Sequence, residues 1–167
     1  MASERPEFRL VPATPAMIEA ELESAEGVAA LLGVDLPPDW PPEHHDSQTL
    51  TFIRDALAQP GAKDWWLNYV VVEAAERPSL AGIVGYKGPP NDGVVEIGYS
   101  VVPSWQRRGI ATEACQTLID AAWDRGAAAV IAHTLPQLEP SIGVLRKLGF
   151  DPAPPPEPGV LAFRLER

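Results

Sequence analysis

Three runs of apolar, β-branched and aromatic residues, at 66–73, 80–86 and 94–102, follow one another with only turn residues between them. The separators, Arg77-Pro78-Ser79 and Pro89-Pro90-Asn91-Asp92-Gly93, are too short for a crossover, so the spacing predicts a three-stranded antiparallel meander. After Gly109 the apolar period becomes helical. Ala111, Cys115, Leu118 and Ala122 fall on one face, and Gly126 suits the end of such a helix. A strand at 130–134 follows, then a helix opening at Pro140 or Ser141, carrying Ile142, Leu145 and Leu148 and ending at Gly149, then a strand at 160–165. A meander continued by alternating helices and strands excludes an all-β or all-helical chain, and its sheet must be mixed.

The first third reads differently. Phe8-Arg9-Leu10-Val11 before Pro12 is an edge strand, because proline cannot continue a ladder. Thr14-Pro15 opens a helix carrying Met17, Ile18 and Leu22, with the threonine as cap. A short helix covers 27–32, and residues 33–46 are irregular and proline-rich. Asp46 or Ser47 caps a helix with Leu50, Ile53, Ala56 and Leu57 that stops at Pro60-Gly61. At 167 residues and 18.0 kDa the chain suits one domain. No internal repeat is found.

Composition excludes several classes of function. No apolar run approaches the roughly 18 residues of a membrane span. Residues 1–10 carry Glu4, Arg5, Glu7 and Arg9 where a secretory leader needs an apolar stretch. A single cysteine, Cys115, excludes an internal disulfide and a cysteine-based zinc site, and points to a reducing, cytoplasmic setting. With a net charge of -10 and a pI near 4.7, binding to nucleic-acid phosphates is disfavoured. An acidic surface suits a cationic partner, and also serves solubility alone.

The segment from Glu96 to Thr112 carries the chemistry. It reads as a strand, a proline break, a turn and the start of a long helix. The first N–H groups of a helix have no internal partner and lie at its positive end, which suits an anion. Gly109 and Ala111 leave the backbone open to close approach. Arg107 and Arg108 sit at the helix end where cations are disfavoured, which an anion between them explains; the alternative is that both point into solvent.

These residues resemble a family. Gln106-x-x-Gly109-x-Ala111 resembles the acyl-CoA pyrophosphate loop of the GNAT superfamily, Gln/Arg-x-x-Gly-x-Gly/Ala. Glu96-Ile97-Gly98-Tyr99, Val101-x-Pro103, Ala111-Thr112-Glu113-Ala114, Ser141 and Val144-Leu145-Arg146-Lys147-Leu148-Gly149-Phe150 resemble the branch containing the ribosomal-protein N-terminal acetyltransferases. The resemblance runs from about residue 93 to 150, and strand order extends it to most of the chain. It implies a single α/β (α+β) domain over 1–167, with a mixed, mostly antiparallel sheet of six to seven strands flanked by helices. Its fourth and fifth strands would be splayed. Residues 93–150 would form the acyl-CoA-binding core and residues 1–62 a helical acceptor-side portion.

The resemblance further implies an N-acetyltransferase that moves acetyl from acetyl-CoA to a primary amine by direct attack, with no metal. The acceptor would be a small-molecule amine or a peptide N-terminus, and homodimers are common in the family. Pyrophosphate would rest on the backbone from Arg107 through Arg108, Gly109, Ile110 and Ala111 to Thr112, next to Gln106. A bulge near Val101 and Val102 would turn an N–H toward the thioester carbonyl. Glu96, ten residues before Gln106, is the candidate general base, and Ser141 is the candidate for binding cofactor or protonating the leaving thiolate. Two residues depart from the pattern. Leu145 stands where many members carry a tyrosine acid, and Leu138 where the branch commonly has an asparagine that bonds the cofactor. These departures carry the alternative, an acyl-CoA-binding sensor or scaffold.

Other residues read more plainly. His44-His45-Asp46 reads as polar loop before metal site, and Cys115 as a small buried hydrophobe. Trp65, Trp66 and Tyr69 read as core or dimer contact before acceptor pocket. His133, one residue before Thr134, is an alternative base. A nucleotide-phosphate enzyme is disfavoured because no Gly-Lys-Ser/Thr follows the glycine.

Overall fold

In the computed structural model, which describes residues 6–73 and 76–167, the strands are β1 (Phe8–Pro12), β2 (Leu67–Val72), β3 (Ser79–Tyr86), β4 (Val94–Val101), β5 (Ala129–Thr134), β6 (Asp151–Ala153) and β7 (Leu161–Glu166). The helices are α1 (Pro15–Glu23), α2 (Ala25–Leu32), α3 (Ser47–Leu57), α4 (Ile110–Asp124) and α5 (Glu139–Lys147). Short 3-10 turns at Lys63–Trp65 and Pro103–Trp105 precede β2 and α4. Glu4 and Arg5, which enter the argument against a leader, lie outside the described residues. No helix among the described residues is long and apolar enough to cross a membrane.

One seven-stranded sheet runs β1-β2-β3-β4-β5-β7-β6. All neighbours are antiparallel except β4 and β5, which run parallel. The strand missing from the sequence reading is β6, three residues long and interrupted by Pro152. Such a piece survives only at an edge, where its proline need not donate to a ladder. The expected bulge lies elsewhere than expected. β3 and β4 pair without a shift, Gly82 opposite Val101 through Tyr86 opposite Ile97. The irregularity is between β2 and β3, where Val70 pairs with Gly82 but Val71 with Leu80, leaving Ala81 as the extra residue. Gly82 has no alternative residue: a Cβ there would stand 2.4 Å from the Ser100 carbonyl oxygen.

Two cores sandwich the sheet. On one face Ile110, Cys115, Leu118 and Ile119 of α4 and Leu145 of α5 pack on Val84, Val95, Ile97, Val130 and Ala132. On the other, Ile18, Val28, Leu50 and Ile53 of α1–α3 pack on Leu67, Tyr69, Val71 and Leu80. β2 reads as apolar at every position but Asn68 because both of its faces are covered. The second core draws nothing from β4–β7 among the described residues, so α1–α3 cover half of the sheet and leave the even-numbered face of β4 open.

The loop before α3 has a polar anchor. Glu21 of α1 is buried and receives Trp40 Nε1 at 3.0 Å, His45 Nε2 at 2.8 Å and Tyr69 Oη at 2.7 Å. His45 is therefore a buried partner of Glu21, and Asp46 caps α3 by accepting from Thr49 N at 2.8 Å. Burial pushes the Glu21 carboxyl pKa upward, but the bonds and charge of His45, with bonds from Tyr69 and Trp40, outweigh it and hold it below the usual value. A lowered folded-state pKa contributes stability that is complete above the ordinary carboxylate range and is lost as pH falls through it. Glu21→Gln should cost about 1–3 kcal/mol at neutral pH, and urea melts should show less acid-side loss of stability in the variant than in the parent chain.

Candidate active site

The open end of the sheet creates the site. β4 and β5 pair over three positions, Val94 with Ala129, Val95 with Val130 and Glu96 with Ile131, and then separate. Each strand stays paired on its other side, β4 with β3 through Val101 and β5 with β7 through Thr134. The result is a fork with Glu96 at its apex. Antiparallel alternation turns the backbone groups of Tyr99 and Val101 toward the gap, beyond the last paired position. Val101 spends its carbonyl on Gln106 Nε2 at 2.8 Å, so its N–H faces the fork. Val102 offers the fork neither backbone group: its N–H goes to Ala81 O at 2.9 Å, and its carbonyl receives Trp105 N at 2.9 Å.

The loop from Gln106 to Thr112 closes the wide end. Arg107 (φ 63°) and Gly109 (φ 80°) are left-handed with Arg108 between them, the alternation of hand that turns successive N–H groups to one concave side. Gly109 is the N-cap of α4 and makes no side-chain capping bond, which leaves the first amides of the helix, from Ile110 on, for a ligand. Both arginines are exposed, and Arg108 stacks over Trp105 at 4.7 Å from the ring centroid. The loop is held from outside as well: Asp39 accepts from Ser104 N at 2.7 Å and from Ser104 Oγ at 2.9 Å.

Glu96 Oε2 lies 3.0 Å from Lys87 Nζ and 3.2 Å from His133 Nδ1. Strand alternation explains the meeting. Even positions of β4 and odd positions of β5 share the open face, and Lys87 stands opposite Glu96, donating its N–H to the Glu96 carbonyl at 2.8 Å. Glu96 and His133 side chains are 22% and 26% exposed, so both are within reach of solvent and sheltered.

Ser141, in the first turn of α5, joins the two arms of the fork. Its Oγ is 2.9 Å from Tyr99 Oη on β4 and accepts from Thr134 Oγ1 on β5 at 3.0 Å. Tyr99 Oη also reaches the Ser141 carbonyl at 3.0 Å. Burial raises the pKa of the Tyr99 hydroxyl, with the Ser141 bond acting against it and Cys115 adding to it, so it stays protonated. Leu145 is fully buried in the core. Leu138 is the N-cap of α5 and makes no capping bond.

Cys115 is buried, and burial raises the pKa of its thiol, which makes it a poor nucleophile. Tyr69 is core, Trp65 packs edge-on against Tyr86 at 5.0 Å, and Trp66 meets the exposed Phe52 at 5.7 Å. Sequence reasoning missed Lys87, Tyr99, Thr134 and Asp39. Pairing across the Pro89–Gly93 turn was the signal for Lys87, and nothing local signals Asp39.

In fold the chain is similar to the microcin C7 self-immunity acetyltransferase MccE in complex with acetyl-CoA and AMP, with TM-score 0.66 and 16% identity over 96% of this chain and 93% of that one. It is also similar to RimL, the ribosomal L7/L12 α-N-protein acetyltransferase in complex with coenzyme A, with TM-score 0.66 and 21% identity over 95% and 93%. In sequence it is 26% identical over 95 residues to the uncharacterized N-acetyltransferase YjdG of Bacillus subtilis, a match spanning 56% of this chain and 55% of that protein, about half the length of the relative. Residues 10–151 match the acetyltransferase (GNAT) domain. That span takes in both the fork and the uncapped start of α4, and with it the chain belongs to the GNAT acetyltransferase family.

Proposed function

We propose that the protein transfers an acetyl group from acetyl-CoA to a primary amine by direct attack in a ternary complex. The observation that carries this reading is the fork: a parallel pair that opens after three positions, with an uncapped helix start at its wide end and a carboxylate at its apex. The left-handed turns at Arg107 and Gly109 fit a pyrophosphate, held by amides from Arg107 to Thr112 with the two arginine side chains beside it and Gln106 bracing the loop against Val101. Acetyl-CoA supplies the activated acyl carbon. The Val101 N–H is the candidate donor for charge developing on the acyl oxygen, worth about 3–4 kcal/mol by analogy with other such donors; the bonds already made by Val102 take it out of that role. Proton removal from the amine falls to the apex of the fork, where Glu96, the candidate base, meets His133. Ser141, held by Tyr99 and Thr134, faces the leaving sulfur as proton donor or cofactor contact, and a thiol that ordinarily titrates near 8.5 leaves with little help.

The open face beside β4 and β5, beyond the reach of α1–α3, is where a small amine or a peptide N-terminus enters. The fit of the loop, and the acetyl-CoA and CoA bound by the solved relatives, support this cofactor class. The second reading, a domain that binds acyl-CoA without turnover, rests on Leu138 and Leu145, neither of which offers a polar group. Acetyl-CoA at about a hundred times its dissociation constant should stabilise the chain by roughly 2.7 kcal/mol, a rise in Tm of about 5–11 °C at this size, with ATP as the control. No rise with millimolar acetyl-CoA would end both readings. Glu96→Gln should keep that rise while thiol release in the presence of amines drops by about 10²–10⁴-fold; a rise with no thiol release from the unaltered chain favours the sensor.

A further inference from the structure

Resting on the acetyl-transfer reading above, we propose that the atom which takes the amine's proton is Nε2 of His133, and that Glu96 is the positioning residue that orients and supports it. Both recorded partners of Glu96, Lys87 Nζ and His133 Nδ1, lie on the same carboxylate oxygen. A carboxylate holding two donors is poorly placed to act as a base. It is well placed to orient an imidazole: with Nδ1 only 3.2 Å from the carboxylate, a proton carried on Nδ1 is favoured there, and that tautomer leaves the lone pair on Nε2. His133 Nε2 has no protein partner among the described residues, and its strand forms the second arm of the fork, two residues past the last paired position. An imidazole is intrinsically the stronger base, so Nε2 is the better proton acceptor of the pair.

The charges facing His133 are few. Glu96 on β4 and Lys87 just past β3 meet as described. Register places Arg164 and Glu166 of β7 and Asp151 of β6 on the same face, Arg164 opposite Ile131, and Arg164 is paired with Glu166. In the transfer the amine nitrogen bonds to the acyl carbon, the carbon–sulfur bond breaks with its electron pair going to sulfur, and the nitrogen loses one proton to Nε2. The imidazolium stands against the Glu96 carboxylate until it returns that proton to solvent. Sulfur takes one proton from water, directly or relayed through Ser141 Oγ as that oxygen regains one from water, so amine and thioester become amide and thiol.

The test has two parts. Thiol release from acetyl-CoA is followed against pH with a peptide amine, a polyamine or an aminosugar, whichever the unaltered chain acetylates. His133→Gln should lower kcat/KM by about 10²–10⁴-fold and flatten the acid limb of the rate profile, whereas Glu96→Gln should leave an acid limb in place. An unchanged rate and profile in His133→Gln overturns the proposal. The second part needs no acceptor and no variant: nitrogen-15 NMR of the full chain should find neutral His133 with its proton on Nδ1. A proton on Nε2 overturns it even if the variant does not fold. If acetyl-CoA neither raises Tm nor is consumed with any amine, the acetyl-transfer reading fails, whereas the tautomer tests the dyad alone.

Discussion

Three paired positions between β4 and β5 hold the two halves of this sheet together, and the rest of the site depends on their number. Parallel pairing needs a crossover, and α4 supplies it, returning the chain to the core beside Val95 and Val130. Had the ladder continued to Val101, the backbone groups of Tyr99 and Val101 would be satisfied by β5 and there would be no gap. Beyond that point each strand keeps only its outer partner: β3 stays with β4 to its end, and β7 stays with β5 to Thr134. What crosses the open part is a chain of hydroxyls, Tyr99 to Ser141 to Thr134, which bridges without closing.

The hydroxyl at this end of the gap comes from a strand. Leu145 of α5 fills the core at zero exposure. Tyr99 reaches the same α5 turn from β4 and meets Ser141 twice. Strand and helix converge on one turn there, so hydroxyls from β4, β5 and α5 meet at Ser141.

Local features were legible in the residues and distant ones were not. The loop from Gln106 to Thr112 was readable as a local structure because its parts are neighbours: the left-handed Gly109, the helix that starts on it, and the strand before it. Element order was readable for the same reason, apart from β6, which Pro152 and its three residues disguise. Glu96 could be named, but not its company, since Lys87 and His133 reach it only through register across β3, β4 and β5. His45 looks like loop until Glu21, 24 residues earlier, turns it into core. The bulge was misplaced by one strand because only Ala81, on the neighbouring strand, breaks register.

Asp39 and Ser104 are 65 residues apart in sequence and share two hydrogen bonds. Trp40, next to Asp39, is bound to the buried Glu21 of α1. The Pro103–Trp105 turn before α4 is thus gripped by a strut rooted in the helices of the other core. The start of α4 is therefore positioned by contacts made on both faces of the sheet: its own packing on one, and the Glu21 cluster, through the adjacent pair Asp39 and Trp40, on the other.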